Sequence, residues 1–454
     1  MPRPGHGTAP IPRPQPPVRS LPRPRRGLAR PPPYPGPPAS TAVRTHGGCL
    51  MSDDHSSTGR ESANIPVDLP RQRGLWHRIA LWIAACLAVV LVAAVGTAYG
   101  YYLLLRSGMI QHDLDAALGG KNRPEKLNDA VNVLFMGTDG YEEDSTAYAR
   151  EFEGERSDAL MLAHISPGGE HVSVISFPRD SLVRLPACPP YGKAEGSGAY
   201  EGMINAAMYH GGPPCVVHTV ETLTGIRVDH FVHLSFMSFR DTVNAIGGVS
   251  MCIPRPMRDE RSGLDLPAGE QVLDGDEALS FVRARYEIGN GSDIGRIDRQ
   301  QMFLSALAEQ LRSSGALTDP ARLNEILRSV AEHSATDQRL TLDRMLSIGF
   351  SLSDVDLADI EFRTVPWYQA PQDPNRVMWD GEEAAALFAA VREDRPLPAP
   401  VPEGSGTPSP PASSVPDDGM SGAEDAPTAS AGEARDATSD PCVDGLGFGT
   451  GRGY

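Results

Sequence analysis

ALMLAHIS (159–166) and HVSVISFP (171–178) flank the turn Pro167-Gly168-Gly169, and VNVLFMG (131–137) lies upstream and runs into a glycine. All three runs are short and dominated by apolar residues. Apolar runs of this length bounded by turn residues predict buried strands, because a helix needs a longer periodic stretch. The first two predict a strand pair across the Pro-Gly-Gly turn. Working outward, DHFVHLSF (229–236), VSMCIP (249–254) and a stretch near 359–366 predict further strands. Between them lie helical patterns: GMINAAMYH (202–210), VVHTVETLTG (216–225) and MSFRDTVNAIGG (237–248). GRIDRQQMFLSALAEQLRSSG (295–315) predicts a strongly amphipathic helix, and two more helices are expected near 320–333 and 340–353. Strands interleaved with helices predict an α/β (α+β) fold over residues 107–394, a central mixed sheet covered by helices.

The flanks read differently. The chain has 454 residues and a net charge of −17, which argues against a general nucleic-acid binder. Residues 1–78 nevertheless hold 12 Arg, no Lys and 4 acidic residues. They are expected to form a disordered, Pro- and Arg-rich tail, since proline lacks the N–H that helices and sheets need. MSDDHSSTGR, opening at Met51, has the look of an ordinary N-terminus, so the true start is expected either at residue 1 or at Met51. From Ile79 to Leu105 no residue carries a formal charge. About 20 apolar residues cross a bilayer, so 79–105 is expected to be a transmembrane helix. Arg71, Arg73 and Arg78 precede it and only Arg106 follows closely, which predicts a cytoplasmic N-terminus and an extracellular domain. Beyond about 395 the composition turns to Pro, Ser, Ala and acidic residues, and 395–454 is expected to be a disordered tail.

Four cysteines follow the apolar run: Cys188, Cys215, Cys252 and Cys442. In an oxidising compartment they allow three pairings. Cys188 with Cys215 is favoured because the pair closes a loop rich in Gly and Pro, and Cys252 with Cys442 would then pin the tail. Free thiols are the alternative. No C-x-x-C and no His/Cys cluster is present, which disfavours zinc on the pattern of ligand spacing.

Charged clusters stand at the ends of these elements: Gly137-Thr138-Asp139, Arg156-Ser157-Asp158, Pro178-Arg179-Asp180, and Arg283-Ala284-Arg285 followed by GSDIGRIDRQQ (291–301). Arg283 and Arg285 point the same way if their segment is extended. Arg296, Arg299 and Gln300 share one helix face. An Arg–Asp pair at a strand end is ordinarily a surface ion pair. Several arginines beside isolated aspartates in an acidic domain suggest instead a diphosphate with a hard divalent cation, since guanidinium matches phosphate oxygens two at a time.

These residues resemble the LytR–CpsA–Psr family, in its actinobacterial branch. The likeness runs through NVLFMGTDG, RSDALMLAHI, VSVISFPRDSLV, INAAMYHGG, ETLTGIRVDHFVHLSF, VNAIGGV, LPAGEQVLDGDEALSFVRAR and GSDIGRIDRQQ, in fixed order across 131–312. It implies a membrane-anchored phosphotransferase. Such an enzyme moves a glycopolymer, teichoic acid or another wall polymer, from a polyprenyl-diphosphate carrier to the muramyl 6-hydroxyl of peptidoglycan. The membrane and these two substrates are the expected partners, with no nucleic acid. The resemblance implies Mg²⁺ (or Mn²⁺) on Asp139 and Asp158. It implies diphosphate contacts from Arg156, Arg179, Arg283, Arg285, Arg296 and Gln300. Asp139, Arg156, Asp158, Arg179 and Asp293 are the catalytic candidates, and either Asp293 or a metal-bound Asp is the base. Asp180 is read as orienting Arg179. FVHLSF and MSFRDTVNAIGG are candidates for a prenyl groove. Two features depart from the family: Met203 stands where a Lys often precedes Ile-Asn, with Lys193 as a replacement candidate, and an acidic insert of 16 residues separates Asp139 from Arg156. The alternatives are a polyprenyl-diphosphate pyrophosphatase and a non-catalytic envelope regulator or wall-binding module.

Overall fold

The computed structural model describes residues 73–108, 110–119, 123–138, 156–285, 293–315, 319–353, 355–373, 375–399 and 435–444. The chain divides into two units, 1–74 and 75–454, and the account below concerns the second. The basic tail with its alternative start, Asp139, the acidic insert 140–155, Gly291-Ser292 and most of the acidic tail lie outside the described residues.

Helix α1 (Arg73–Gly108) is longer than the uncharged run within it, and its span Gly74–Arg106 is long and apolar enough to cross a membrane. Then come β1 (Ile110–His112), α2 (Leu114–Leu118), β2 (Val131–Thr138), β3 (Ser157–Ile165), β4 (Val172–Ser176), β5 (Leu182–Leu185), β6 (Tyr200–Met203), α3 (Ala206–Thr224) and β7 (His230–Ser235). They are followed by α4 (Phe236–Ile246), β8 (Val249–Ile253), β9 (Met257–Asp259), β10 (Leu264–Leu266), β11 (Gly269–Leu273), α5 (Gly275–Arg283) and α6 (Asp293–Ser313). The rest comprises α7 (Pro320–His333), β12 (Ser334–Asp337), α8 (Leu342–Ser353), β13 (Ile360–Thr364), β14 (Trp367–Gln369), β15 (Val377–Trp379), α9 (Gly381–Arg392), β16 (Arg435–Asp436) and α10 (Pro441–Asp444).

Eight strands form the central sheet, in the order β1-β12-β7-β2-β3-β4-β13-β16. β2 is antiparallel to β3, β3 to β4, and β2 is parallel to β7. The sheet is therefore mixed, with helices against it. The three apolar runs form β2, β3 and β4 because both sheet faces are covered, so near-continuous hydrophobic strands find partners on each side. Leu134, Met136, Leu162 and Ile175 are fully buried there, in one cluster with Val216, Val217 and Val220 of α3.

VSMCIP forms the expected strand, and β8 pairs with β11 in a two-stranded ribbon apart from the central sheet. Two expectations need correction. GMINAAMYH is not one helix: Tyr200–Met203 is β6, and helix begins at Ala206. The helical segments before and after Gly211-Gly212 form one kinked element, and Gly212 takes φ 59°, a conformation that side chains strain to adopt. The tail is not featureless at 435–444, where β16 pairs antiparallel with β13.

The disulfides are Cys188–Cys215 and Cys252–Cys442. The second joins β8 to α10 across 190 residues of chain, so it clamps the segment carrying β16. Cys252→Ser is expected to remove a clamp of about 2–4 kcal/mol. Trypsin should then cut at Arg435, which is buried in the intact chain. Equal digestion rates at that residue in both proteins would show that the strand pairing alone holds the segment.

Candidate functional site

The strand ends build the site. Asp158 is the second residue of β3, and Arg179 follows the end of β4, the antiparallel neighbour, so the two side chains meet in an ion pair. At the same end of β2 the pairing with β3 slips between Gly137 and Thr138, a bulge of the kind that re-aims side chains at a site. A Cβ on Gly137 would stand 3.3 Å from that of Ala159, tighter than ordinary packing.

Asp293, the first residue of α6, binds Arg179 twice: Oδ2 accepts from the Arg179 backbone N–H at 3.2 Å, and Oδ1 lies 3.3 Å from Nε. The same Oδ1 is 2.5 Å from Arg296 Nη2, and Arg296 also donates to the Asp158 carbonyl at 2.7 Å. Asp293 thus organises two arginines. Burial works to lower the Arg179 pKa, but the carboxylates of Asp293, Asp158 and Asp180 outweigh it and hold it above the ordinary arginine value. Deeper burial pushes Arg296 down despite Asp293.

Asp180 gathers three guanidinium groups, at 3.2 Å from Arg376, 3.8 Å from Arg285 and 4.0 Å from Arg179. Burial raises its pKa, as does the neighbouring Asp293, and these arginines offset part of the rise. Arg285 is set by its backbone: its N–H donates to Asp259 Oδ2 at 2.7 Å, while Arg299 holds the carbonyl of Ala284 beside it. Burial lowers the Arg299 pKa to about 10. Arg299 is therefore a brace behind the site.

In front of these braces lies a cleft of about 270 Å³ bounded by Arg156, Asp158, Arg179, Asp180, Met203, Asn205, Arg285 and Arg376. Four arginines face two aspartates, so the cleft is electropositive in an acidic protein. Among the described residues no acidic group forms an ion pair with Arg156. A second cleft of about 390 Å³ shares Arg156, Met203 and Arg376 and adds Leu182, Tyr200, Gly202, Ala206, Tyr209 and His210.

The sequence reading and the structure part at several residues. Arg283 does not line the cleft. Its segment is not extended: α5 continues through Arg283, whose guanidinium carbon sits 4.2 Å above the Phe236 ring at the surface. Gln300 is turned away too, donating weakly to the Val282 carbonyl at 3.4 Å. Arg296 stands in the wall behind the cleft. The amphipathic pattern expected of α6 fails in its first two turns, where residues 293–299 are all buried. FVHLSF contributes Phe231 to the core, and the more apolar cleft is lined from β5, β6 and α3 instead. Lys193 is exposed in the turn at 191–194 and lines neither cleft.

Arg376 was missed. It sits between β14 and β15, which dock on the turn after Arg179: Ser181 bridges to Val377, and Trp379 donates to Ser181 Oγ at 2.9 Å. No local motif marks it, and it lies well outside the 131–312 stretch. Asn205 was missed as well, although it follows Met203-Ile204 directly.

The LytR_cpsA_psr family profile matches residues 106–390, more than half of the chain. The chain belongs to the LytR–CpsA–Psr family. The cell wall biosynthesis protein LcpA of Corynebacterium glutamicum is 25% identical over 337 residues, covering 68% of this chain and 63% of LcpA. The polyisoprenyl-teichoic acid–peptidoglycan teichoic acid transferase TagV of Bacillus subtilis is 31% identical over 305 residues, covering 63% of this chain and 71% of TagV. A solved LytR-Csp2A-Psr enzyme from Actinomyces oris aligns with a TM-score of 0.47 at 21% identity, over 62% of this chain and 95% of that one. The chain thus spans less than two thirds of LcpA's length.

Among the described residues two groups hold ligand-type atoms close enough for a metal ion: His164, His171 and Asp394, and Cys252, Asp440 and Cys442. Neither lines the cleft, and the sulfurs of the second are joined in a disulfide.

Proposed function

We propose that this LytR–CpsA–Psr protein is a phosphotransferase that moves a glycopolymer from a polyprenyl-diphosphate carrier to peptidoglycan. The observation that carries the reading is the excess of guanidinium over carboxylate in one cleft of an acidic chain. The names of TagV and LcpA, a teichoic acid transferase and a cell wall biosynthesis protein, agree with it.

Arg156, Arg179 and Arg285 would hold the diphosphate oxygens, and the more apolar cleft beside them offers surface to the first prenyl units. A muramyl hydroxyl attacks the sugar-proximal phosphorus. The new P–O bond forms as the bond to the bridging oxygen breaks, the hydroxyl proton passes to solvent, and polyprenyl phosphate leaves. Charge builds on phosphate oxygens in this step, so fixed guanidinium groups lower the barrier without rearranging. Asp293 is committed to Arg179 and Arg296, which makes it a positioning residue and a poor base. For the metal, the donor chemistry fits a hard divalent cation, since the acidic residues of the cleft offer only carboxylate oxygen. Asp158, with Asp139 outside the described residues, would hold Mg²⁺, which when bound neutralises diphosphate charge. The positive-inside pattern supports a cytoplasmic N-terminus, and two disulfides suit a domain outside the cell.

The test is transfer by the full chain in detergent, with a labelled lipid-diphosphate glycopolymer and peptidoglycan. Label should enter the wall material while polyprenyl phosphate is released. Equal release without peptidoglycan would instead favour hydrolysis.

Arg376 supplies a positive charge beside Met203. Arg376→Ala is expected to slow transfer about tenfold to a hundredfold, the worth of one charged hydrogen bond. Adding Met203→Lys should restore much of the rate. If Arg376→Ala transfers at the parental rate, the residue is only an anchor for Asp180.

A further inference from the structure

Away from the arginine cleft, His164, Ser166, His171 and Asp394 converge at the other end of β3. Asp158 and His164 are six residues apart on that strand, about 20 Å at the usual rise. The protonation of His164 can be read from its neighbours. Asn132 Nδ2 donates to the Arg227 carbonyl at 2.9 Å, so its Oδ1 is the atom left to face His164 Nδ1 at 2.7 Å. Oδ1 only accepts, and Nδ1 must therefore carry the ring proton. In the neutral ring, Nε2 then presents a lone pair to Asp394 Oδ1 at 3.0 Å. Two acceptors at that distance repel unless a cation joins them. A second ring proton would provide one, but His164 is only 2% exposed, where an imidazolium loses its hydration.

Further polar atoms crowd the neighbourhood. His171 Nε2 is 3.4 Å from the same Asp394 oxygen. Ser166 Oγ lies 2.6 Å from both Asp394 Oδ1 and His171 Nε2, and its hydroxyl has one proton to give. Asp394 itself is the only non-glycine residue at positive φ among the described residues, at 53°. It stands just past the C-cap of α9, where a left-handed residue ordinarily ends a helix, and this ending sets Asp394 beside the histidines.

We propose that His164, His171 and Asp394 form a transition-metal site, separate from the phosphate cleft. The three ligand atoms lie within 4.8 Å of one another. Metal–ligand bonds of about 2.0–2.1 Å in a tetrahedron set ligand atoms about 3.3 Å apart, and the separations of 3.0 and 3.4 Å from Asp394 Oδ1 bracket that value. Two imidazole nitrogens and one carboxylate suit Zn²⁺ rather than Mg²⁺. Asn132 orients His164 as an outer partner orients a metal-bound imidazole. Occupied, the site ties the chain leaving α9 to the β3–β4 hairpin, and it is independent of the proposed transfer reaction.

The test uses the full chain without a histidine tag, in detergent, stripped with chelator, loaded with Zn²⁺ or Co²⁺ and dialysed. We expect one metal ion per chain by elemental analysis and a cobalt d–d absorption of tetrahedral type. His171→Ala, at a half-exposed position, should weaken binding by at least about tenfold. Asp394→Asn keeps the side-chain shape and should do the same, which guards against loss of fold in the first variant. Circular dichroism checks that both remain folded. Absence of stoichiometric metal in the loaded parent, or retention of it by both folded variants, would overturn the assignment.

Discussion

Arg179→Ala is expected to lower the transfer rate by about two to three orders of magnitude, the usual loss when one fixed donor to a charged transition state is removed. Arg179 is the hub of the cleft: it meets Asp158, Asp180 and Asp293, so its guanidinium is both aimed and kept charged. The substitution also takes from the Asp158 carboxylate the guanidinium that positions it in the same cleft. Two effects therefore act together, and Arg179→Lys separates them. Lysine restores the charge but has no planar fork to reach Asp158, Asp293 and a phosphate at once. We expect Arg179→Lys to recover less than about a tenth of the lost rate. Stability should fall little, because Asp293 keeps Arg296 and Asp158 remains partly exposed. Transfer and thermal melting measured on the same preparations decide the matter: an Arg179→Ala protein that melts normally and transfers at the parental rate would remove the cleft from the chemistry.

The sequence made some of this legible and hid the rest for identifiable reasons. β2, β3 and β4 were visible because strands covered on both faces read as unbroken apolar runs, and the clusters at their ends follow from that. Asp158 and Arg179 could be placed together as soon as β3 and β4 were read as a hairpin. The Arg283-Ala284-Arg285 stretch misleads because its first arginine is the last residue of α5. Its start carries a plain signal, Asp274 followed three residues later by Glu277, and the structure shows both halves of that capping box. Reading it would have ended the helix near Arg283 and pointed Arg283 and Arg285 apart. Arg376 had no such signal, since its place depends on the docking of β14 and β15 against Ser181, a contact nearly 200 residues long-range in the chain. The composition of one loop favours Cys188–Cys215 and leaves Cys252 to Cys442, yet the strand that the second disulfide secures, β16, is two residues long and too short for any periodicity to reveal.

The largest effect on stability is expected far from the cleft, at Arg123. Its side chain is 2% exposed and faces Glu221 at 1%. Nη2 lies 2.7 Å and Nε 3.0–3.1 Å from the Glu221 oxygens, Nη2 also donates to the Val228 carbonyl at 2.5 Å, and Nη1 reaches Asp115 at 3.0 Å. Burial works to lower the Arg123 pKa, but its bonds to Glu221 and Asp115 keep it raised. The group joins the segment before β2 to α3 and to the entry of β7, so it closes the core at the sheet end opposite Arg179. Arg123→Ala strands a buried carboxylate and leaves the Val228 carbonyl without this donor. Breaking such a pair from one side costs about 3–5 kcal/mol, which for a domain of this size lowers the melting temperature by on the order of 10 °C. A double change, Arg123→Met with Glu221→Leu, removes both charges and fills the space, and it should recover most of the loss, because desolvation penalises the intact pair as well. Glu221 also accepts from the Val228 N–H at 2.9 Å, so the recovery should stop short of complete. Transfer by the fraction that remains folded should be unchanged, as none of these residues lines the cleft. A single variant that melts within a degree or two of the parent would mean that the Val228 N–H and solvent already satisfy the Glu221 carboxylate, and that the pair is an ornament of the fold rather than its closure.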